Sequence, residues 1–236
     1  MENIMAHLTT GQIKQLLEID SAGEGIRGEV QELIKRLTSG GVGAESDDPF
    51  LLQAKRLWDK GFGERYQSFS EYLGTIPGIP EALKHDDVRF PFLVLVDARL
   101  SLKKSCELAG VIYVRNGRNF EDYDPKNTRT ERVYWMRCQD GQQNRGKTVE
   151  ASRENFAENE IGLTAMEGIA LYAQHPAMIK NHSLELVRSV IHNGDGGIIR
   201  VAWFGLYHGV PKLDSSLLGH TEGDPDSGTA SCRKQH

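Results

Sequence analysis

Six polar residues lie at predicted strand ends and turns, where binding and catalytic side chains are often found. These candidate ligand-binding residues are Asp97, Arg115, Asn144, Arg145, Lys147 and His182. The chain has no nucleophile elbow, no HExxH motif, no Cys–His spacing and no paired-acid signature. The six residues are therefore candidates for contact with a ligand, and no catalytic residue is assigned.

The loop Asp140–Lys147 holds the densest group of these candidates. Its sequence DGQQNRGK combines amides, an arginine, a lysine and two glycines. Such a loop offers the hydrogen-bond donors that an anion or a peptide backbone needs. The same composition is equally typical of a solvent-facing turn, so both interpretations stay open.

Asp97 and Arg115 stand at two other possible binding positions. Asp97 ends the apolar run Phe92–Val96, a place where carboxylates of α/β enzymes often lie. A structural partner for Asp97 is available two residues away in Arg99, and we favour that role. Arg115 precedes an Asn-Gly turn. Its guanidinium could bind a phosphate or carboxylate there, or it could face solvent.

The helices and strands that must position these residues indicate an α+β fold, in which a mostly antiparallel sheet packs against helices. The runs 92–97 and 133–138 read as buried strands, and 182–191, 198–206 and the return from 212 read as three antiparallel strands. The segment 111–114 is a further short strand, and a parallel βαβ arrangement with 92–97 is a weaker alternative.

Two predicted helices follow the loop. Thr148 caps the first, which places Val149, Arg153 and Phe156 on one face. Thr164 and Glu167 form a capping box at the start of the second, which gives Glu167 a structural task.

Three regions are predicted along the chain: a helical N-terminal region at 1–85, an α+β core domain at 86–213 and a flexible tail at 214–236. The helix Ile26–Leu37 carries a continuous apolar stripe. That stripe must pack against the core or against a second copy, so a homodimer through this helix is one alternative.

The overall charge argues against a dedicated nucleic-acid binder. The chain has a net charge of −5 and a pI of about 5.9, whereas such proteins usually show a basic face. The window 115–153 is nonetheless net positive, and Tyr134 and Trp135 lie within it. A nucleotide or nucleic-acid function therefore stays as an alternative that requires these aromatic rings to be exposed.

Cysteine and histidine spacing predicts neither a metal site nor a cofactor. Three well-separated cysteines and dispersed histidines match no zinc pattern. The first residues lack a signal-peptide pattern, and the longest apolar run is far too short to span a bilayer. We therefore expect a soluble, cytoplasmic protein.

One part of the sequence resembles an uncharacterised bacterial domain family of unknown function. The resemblance covers Phe90 to Leu213 and is carried by a set of local motifs: Trp135-Met-Arg-Cys-Gln-Asp-Gly, Asn144, Thr148, Arg153, Phe156, Gly162-Leu-Thr, Glu167-Gly-Ile-Ala-Leu and His175-Pro. It implies that 140–182 belongs to a shared framework. It implies no reaction, substrate or catalytic residue.

Taken together, these features favour a binding or interaction module whose partner is an unidentified protein or small molecule. The first alternative is a small-molecule enzyme of unassigned class, with a site near Asp97, Arg115 and the Asp140–Lys147 loop.

Overall fold

The computed structural model describes residues 48–114, 119–124, 130–193, 195–218 and 223–234. The described residues from Pro49 onward belong to one compact unit. The predicted helix at Ile26–Leu37, its proposed dimer contact and the predicted site residue Arg115 lie outside the described residues.

Helices and strands alternate irregularly along this unit. The helices are α1 (Pro49–Asp59), α2 (Phe69–Leu73), α3 (Glu81–Lys84), α4 (Leu102–Leu108), α5 (Val149–Glu154) and α6 (Ala165–Gln174), with 3₁₀ turns at Gln142–Asn144 and Pro176–Lys180. The strands are β1 (Phe92–Asp97), β2 (Ile112–Tyr113), β3 (Glu121–Asp122), β4 (Val133–Gln139), β5 (Glu160–Gly162), β6 (Ser183–His192), β7 (Ile198–Tyr207), β8 (Val210–Leu217), β9 (Ser227–Thr229) and β10 (Ser231–Arg233).

The strands form two sheets. The first has the order β1-β4-β10-β5, and every pairing in it is antiparallel. The second has the order β2-β8-β7-β6-β3, with β9 added in parallel to β6. Antiparallel β6, β7 and β8 form its centre, while β2 pairs in parallel with β8. The α+β class and the mostly antiparallel pairing are thus confirmed, and the βαβ alternative is wrong because β1 and β2 lie in different sheets.

Helix α6 covers the free edge of the first sheet. Its start carries the predicted capping box, in which Thr164 Oγ1 accepts from the Glu167 amide and Glu167 accepts from the Thr164 amide. At its other end the Gln174 amide exchanges two hydrogen bonds with the backbone of Leu95, at 2.9 and 2.8 Å. Because the side-chain amide replaces a neighbouring strand, the edge of β1 is closed to further pairing.

The predicted boundary near residue 85 does not divide the described chain. Leu57 and Tyr72 from the helical region are fully buried in the same core cluster as strands β1 and β4. The Trp135 indole in β4 donates to the carbonyl of Pro77 at 2.7 Å. Residues 49–85 are therefore part of the core, because their apolar side chains cover one face of the first sheet.

The predicted flexible tail at 214–236 is also corrected by the structure. Strand β8 continues to Leu217, and β10 lies between β4 and β5 in the first sheet. This segment is rich in glycine and small polar residues, which suggested a loose tail. Buried hydrogen bonds hold it instead: Gln139 donates to Thr229 O and Ser231 Oγ, and Thr229 donates to Glu185.

A bulge in β6 joins the two sheets. The pairing of β6 with β7 jumps between Leu186 and Val190, so residues 187–189 oppose no residue of β7. We call these three residues the β6 bulge. The backbone amide of Arg188 donates instead to Leu163 O at 3.1 Å, beside the first sheet. Bulges of this kind redirect side chains and are common beside functional sites.

Candidate functional site

The Asp97 carboxylate is fully engaged by hydrogen bonds from neighbouring side chains. Arg99 binds its carboxylate with two hydrogen bonds, Nε to Oδ1 at 2.7 Å and Nη2 to Oδ2 at 2.5 Å. The Tyr72 hydroxyl donates to Oδ2 at 3.3 Å, and Arg99 also donates to Tyr66 and Thr75. Burial and the neighbouring charge of Asp97 raise the pKa of Tyr72, so this phenol stays protonated. Asp97 is only 3% exposed, which agrees with the structural role favoured from the sequence.

The Asp140–Lys147 loop anchors the segment that carries β9 and β10. Asn144 donates to Thr229 O at 3.0 Å, and Arg145 donates to Pro225 O at 3.1 Å. Lys147 donates to the Asn144 side-chain oxygen at 3.2 Å. Most of the loop's polar groups are therefore engaged within the protein.

His182 supports the same loop. Its Nε2 lies 2.8 Å from the carbonyl oxygen of Asp140, and the residue is 6% exposed. Four of the predicted site residues thus lie close together: Asn144, Arg145, Lys147 and His182. Their common task is to position the loop against the segment of residues 223–234.

Asp97 does not join this group. Asp97 pairs with Val133 at one end of β4, while the loop follows Gln139 at the other end. Six residues of strand separate the two positions, which is roughly 20 Å at the usual rise per residue. Asp97 and the loop therefore do not form one site.

The aromatic residues required by the nucleic-acid alternative are not available for stacking. Trp135 is 1% exposed. Tyr134 is half-buried, and its hydroxyl donates to Glu167 at 3.1 Å. Rings held in this way cannot stack on bases, so the described residues give this alternative no platform.

A cavity of about 300 Å³ lies between the two sheets, and we call it the Arg153 cavity. The end of α5, strand β5, the β6 bulge and residues after β3 and β10 surround it. Its lining residues are Tyr123, Asp124, Arg153, Phe156, Ala157, Glu160, Ile161, Gly162, Val187, Arg188 and Lys234. This volume is at the lower end of the range for small-molecule sites.

Arg153 is the distinctive side chain of this cavity. Its guanidinium lies 4.0 Å from the centre of the Tyr123 ring, and its Nη2 donates to Val187 O at 2.5 Å. Within the described ranges it forms no ion pair. Burial lowers the pKa of Arg153, against the opposing effects of Tyr123, Glu150 and Glu185. A partly buried cation with unused donors therefore faces the cavity.

The lining holds four other charged residues, Asp124, Glu160, Arg188 and Lys234, and these differ in how far they are already satisfied. Arg188 binds Asp122 through two hydrogen bonds, at 3.1 and 2.6 Å. Glu160 accepts from Arg89 and from the Ser231 hydroxyl. The Lys234 side chain makes one hydrogen bond, from Nζ to the carbonyl of Glu158 at 2.9 Å, and has no carboxylate partner among residues that the structure describes. Arg153 and Lys234 thus keep donors for a ligand.

The arrangement can hold an anion in a defined orientation. The planar guanidinium fork matches a carboxylate or a phosphate, and stacking on Tyr123 fixes the plane of that fork. Phe156 and Val187 supply apolar surface beside it. In the described part of the chain no three His, Cys, Asp or Glu side chains are grouped as a metal site would require. None of the described helices combines the length and apolar character needed to cross a membrane.

Comparisons with known proteins find no relative: no family model matches the chain, and no curated protein or solved structure shows a significant match. The resemblance to a bacterial domain family therefore stays a prediction.

The sequence interpretation missed Arg153 as a site residue, although a signal for it was present. The sequence spacing puts Arg153 on one predicted helix face with Val149 and Phe156, so a cation interrupts an apolar pattern; in the structure Phe156 follows just after α5 ends. A charged residue at such a position needs a partner, and the direct contacts that the described residues offer Arg153 are one carbonyl and one ring. That pattern alone would have justified a place among the candidates.

Proposed function

We propose that this protein is a binding module for a small anionic ligand, held in the Arg153 cavity. The observation that carries the proposal is a partly buried guanidinium that lines a cavity of about 300 Å³ and makes no direct ion pair among the described residues; Glu150 and Glu185 act on it from beyond ion-pair distance. Removing a cation from water without a counterion is costly. A bound carboxylate or phosphate would compensate that cost, which supports an anion as the occupant.

The chemistry of the lining supports a ligand with a negative end and an apolar body. Arg153 and Lys234 can hold the negative end by charge-assisted hydrogen bonds. Phe156, Ile161 and Val187 provide apolar contact for the remainder. The cavity volume suits a metabolite-sized molecule rather than a peptide.

Binding without catalysis is favoured over the enzyme alternative. Of the residues on which that alternative rests, Asp97 is engaged by Arg99 and the Asp140–Lys147 loop by residues 223–234. A cytoplasmic location is part of the proposal, because three well-separated cysteines, an odd number, fit a reducing compartment.

A thermal-shift screen tests the proposal. The panel contains small mono- and dicarboxylates, phosphate and sugar phosphates, at low ionic strength because salt weakens charge pairing. A ligand at a hundredfold excess over its Kd should raise the Tm by roughly 5–10 °C.

Two variants locate the site. Arg153→Gln should reduce the shift to about half or less, measured against the variant's own Tm, because a Kd at least tenfold higher halves the stabilisation at this ligand excess. Arg145→Gln is the matched control, because it removes an arginine from the loop outside the cavity. No shift across the whole panel, or a shift that stays undiminished in Arg153→Gln and disappears in Arg145→Gln, would overturn the proposal.

A further inference from the structure

Two of the three cysteines face each other directly across neighbouring strands. Cys232 in β10 pairs with Cys138 in β4 in antiparallel register. Side chains directly opposite in such a pair point to the same face of the sheet. The two Cα atoms of an antiparallel pair are about 4.5 or 5.5 Å apart, and both distances lie in the range that a disulfide requires.

The surroundings favour reaction at Cys232. This residue lies near the Arg188 guanidinium. Burial tends to lower the pKa of Arg188, but its hydrogen bonds to Asp122 and the charges of Glu167, Asp122 and Cys232 raise it overall. A neighbouring cation stabilises a thiolate, which is the reactive form of cysteine. All three thiols are fully buried. For Cys106 in α4, burial raises the pKa of the thiol to about 12, with no neighbouring cation among the described residues to oppose it.

Strand β10 also provides a route for reagents to the buried thiols. It has three residues, and only Ser231 and Cys232 pair with β4. Short elements with few ladder pairs open locally far more often than the whole protein unfolds. Because all three residues of β10 also pair with β5, such an opening must detach it from both neighbours; it then frees Cys232 and leaves the edge of β4 beside Cys138 unpaired.

We propose that Cys138 and Cys232 form a thiol oxidation site that closes to a cross-strand disulfide in the presence of a small disulfide oxidant. The Cys232 thiolate attacks the oxidant's S–S bond and releases one thiolate. The Cys138 thiolate then attacks the mixed disulfide and releases the second. The protein loses two protons and two electrons, and the oxidant is reduced to two thiols.

The consequence is a covalent attachment of β10 to the centre of the first sheet. The bond would close a loop from 138 to 232. Cross-links over loops of this size restrict the unfolded chain strongly, and the expected rise in Tm is roughly 5–15 °C. This proposal is independent of the ligand proposed for the Arg153 cavity.

The test uses the full chain incubated with oxidised glutathione. Free thiols should fall from three to one, the intact mass should drop by two hydrogens, and peptide mapping should link Cys138 to Cys232. The Tm should rise and return after treatment with a reductant.

Two variants make the result specific. Cys106→Ala should still form the disulfide, whereas Cys232→Ala should show no mass loss and no rise in Tm. Three free thiols after prolonged incubation, a stable glutathione adduct without ring closure, or a disulfide that includes Cys106 would each overturn the proposal.

Discussion

Replacing Asp97 with alanine should destabilise the protein strongly while leaving ligand binding in place. Asp97 accepts two hydrogen bonds from the Arg99 guanidinium, one from the Arg99 backbone amide and one from Tyr72. The Arg99 side chain is only 12% exposed, so the substitution leaves a poorly solvated cation without its counterion. A penalty of this kind arises when one partner of a buried ion pair is removed and the other stays behind.

The expected loss is about 3–5 kcal/mol in the free energy of unfolding, the usual effect of breaking a buried ion pair from one side. Arg99 keeps its hydrogen bonds to Tyr66 and Thr75, so the lower part of that range is expected. For a chain of this size the same loss lowers the Tm by roughly 6–20 °C.

Urea unfolding at pH 7 measures the effect, with Asp59→Ala as the matched control. Asp59 forms an exposed ion pair with Lys55, and both side chains are more than half exposed. That control should cost less than about 1 kcal/mol, as exposed pairs do. A loss for Asp97→Ala as small as that of the control, combined with lost binding of the screened ligand, would show that Asp97 is a site residue and refute the reasoning.

Two further substitutions test the contacts around residues 223–234. Burial, together with Asp224 and Glu150, raises the pKa of Glu185 above its ordinary value of 4.5. Its charged form therefore opposes folding at neutral pH, and this penalty disappears as the pH falls toward 4.5. Glu185→Gln should raise the Tm at pH 7, with the gain shrinking toward pH 4.5; a constant gain across this range would contradict the assignment. Gly141→Ala should cost about 1–2 kcal/mol from its positive φ of 90° alone, and more because a Cβ would meet Gly228 O at 2.4 Å. Chemical unfolding should show this loss and almost none for Gly78→Ala, which has open space around it; equal losses would contradict the close contact.

The local elements could be predicted from the sequence because their signals are local. The capping box at Thr164 and Glu167, the buried strand 92–97 and the three antiparallel strands from 183 to 217 all follow from side-chain types at fixed spacing. Hydrophobic periodicity and helix caps act over a few residues, so one sequence is enough to show them.

The position of β10 could not be predicted in the same way. Its three residues, Ser231, Cys232 and Arg233, show no periodic apolar pattern, and the residues before them are mostly small and polar. Long-range contacts hold β10 in the first sheet. The Ser231 hydroxyl accepts from Gln139 and donates to Glu160, and Glu160 in turn accepts from Arg89. Partners separated by 70 or more residues leave no local signature.

The candidate site was missed for a related reason. The Arg153 cavity is formed where β5 of the first sheet meets the β6 bulge of the second. A bulge depends on how two strands pair, and that pairing is not visible in either strand alone. The predicted residues Asn144, Arg145, Lys147 and His182 did come together, but as the support of a strand-bearing segment.

Calorimetric titration of the best ligand from the screen tests the central claim most directly. The titration compares the unmodified protein with Arg153→Gln and Arg145→Gln under the same buffer and salt. The account predicts at least a tenfold higher Kd, about 1.4 kcal/mol of lost binding free energy, for Arg153→Gln and an unchanged Kd for Arg145→Gln. The same Kd for the unmodified protein and Arg153→Gln would contradict it.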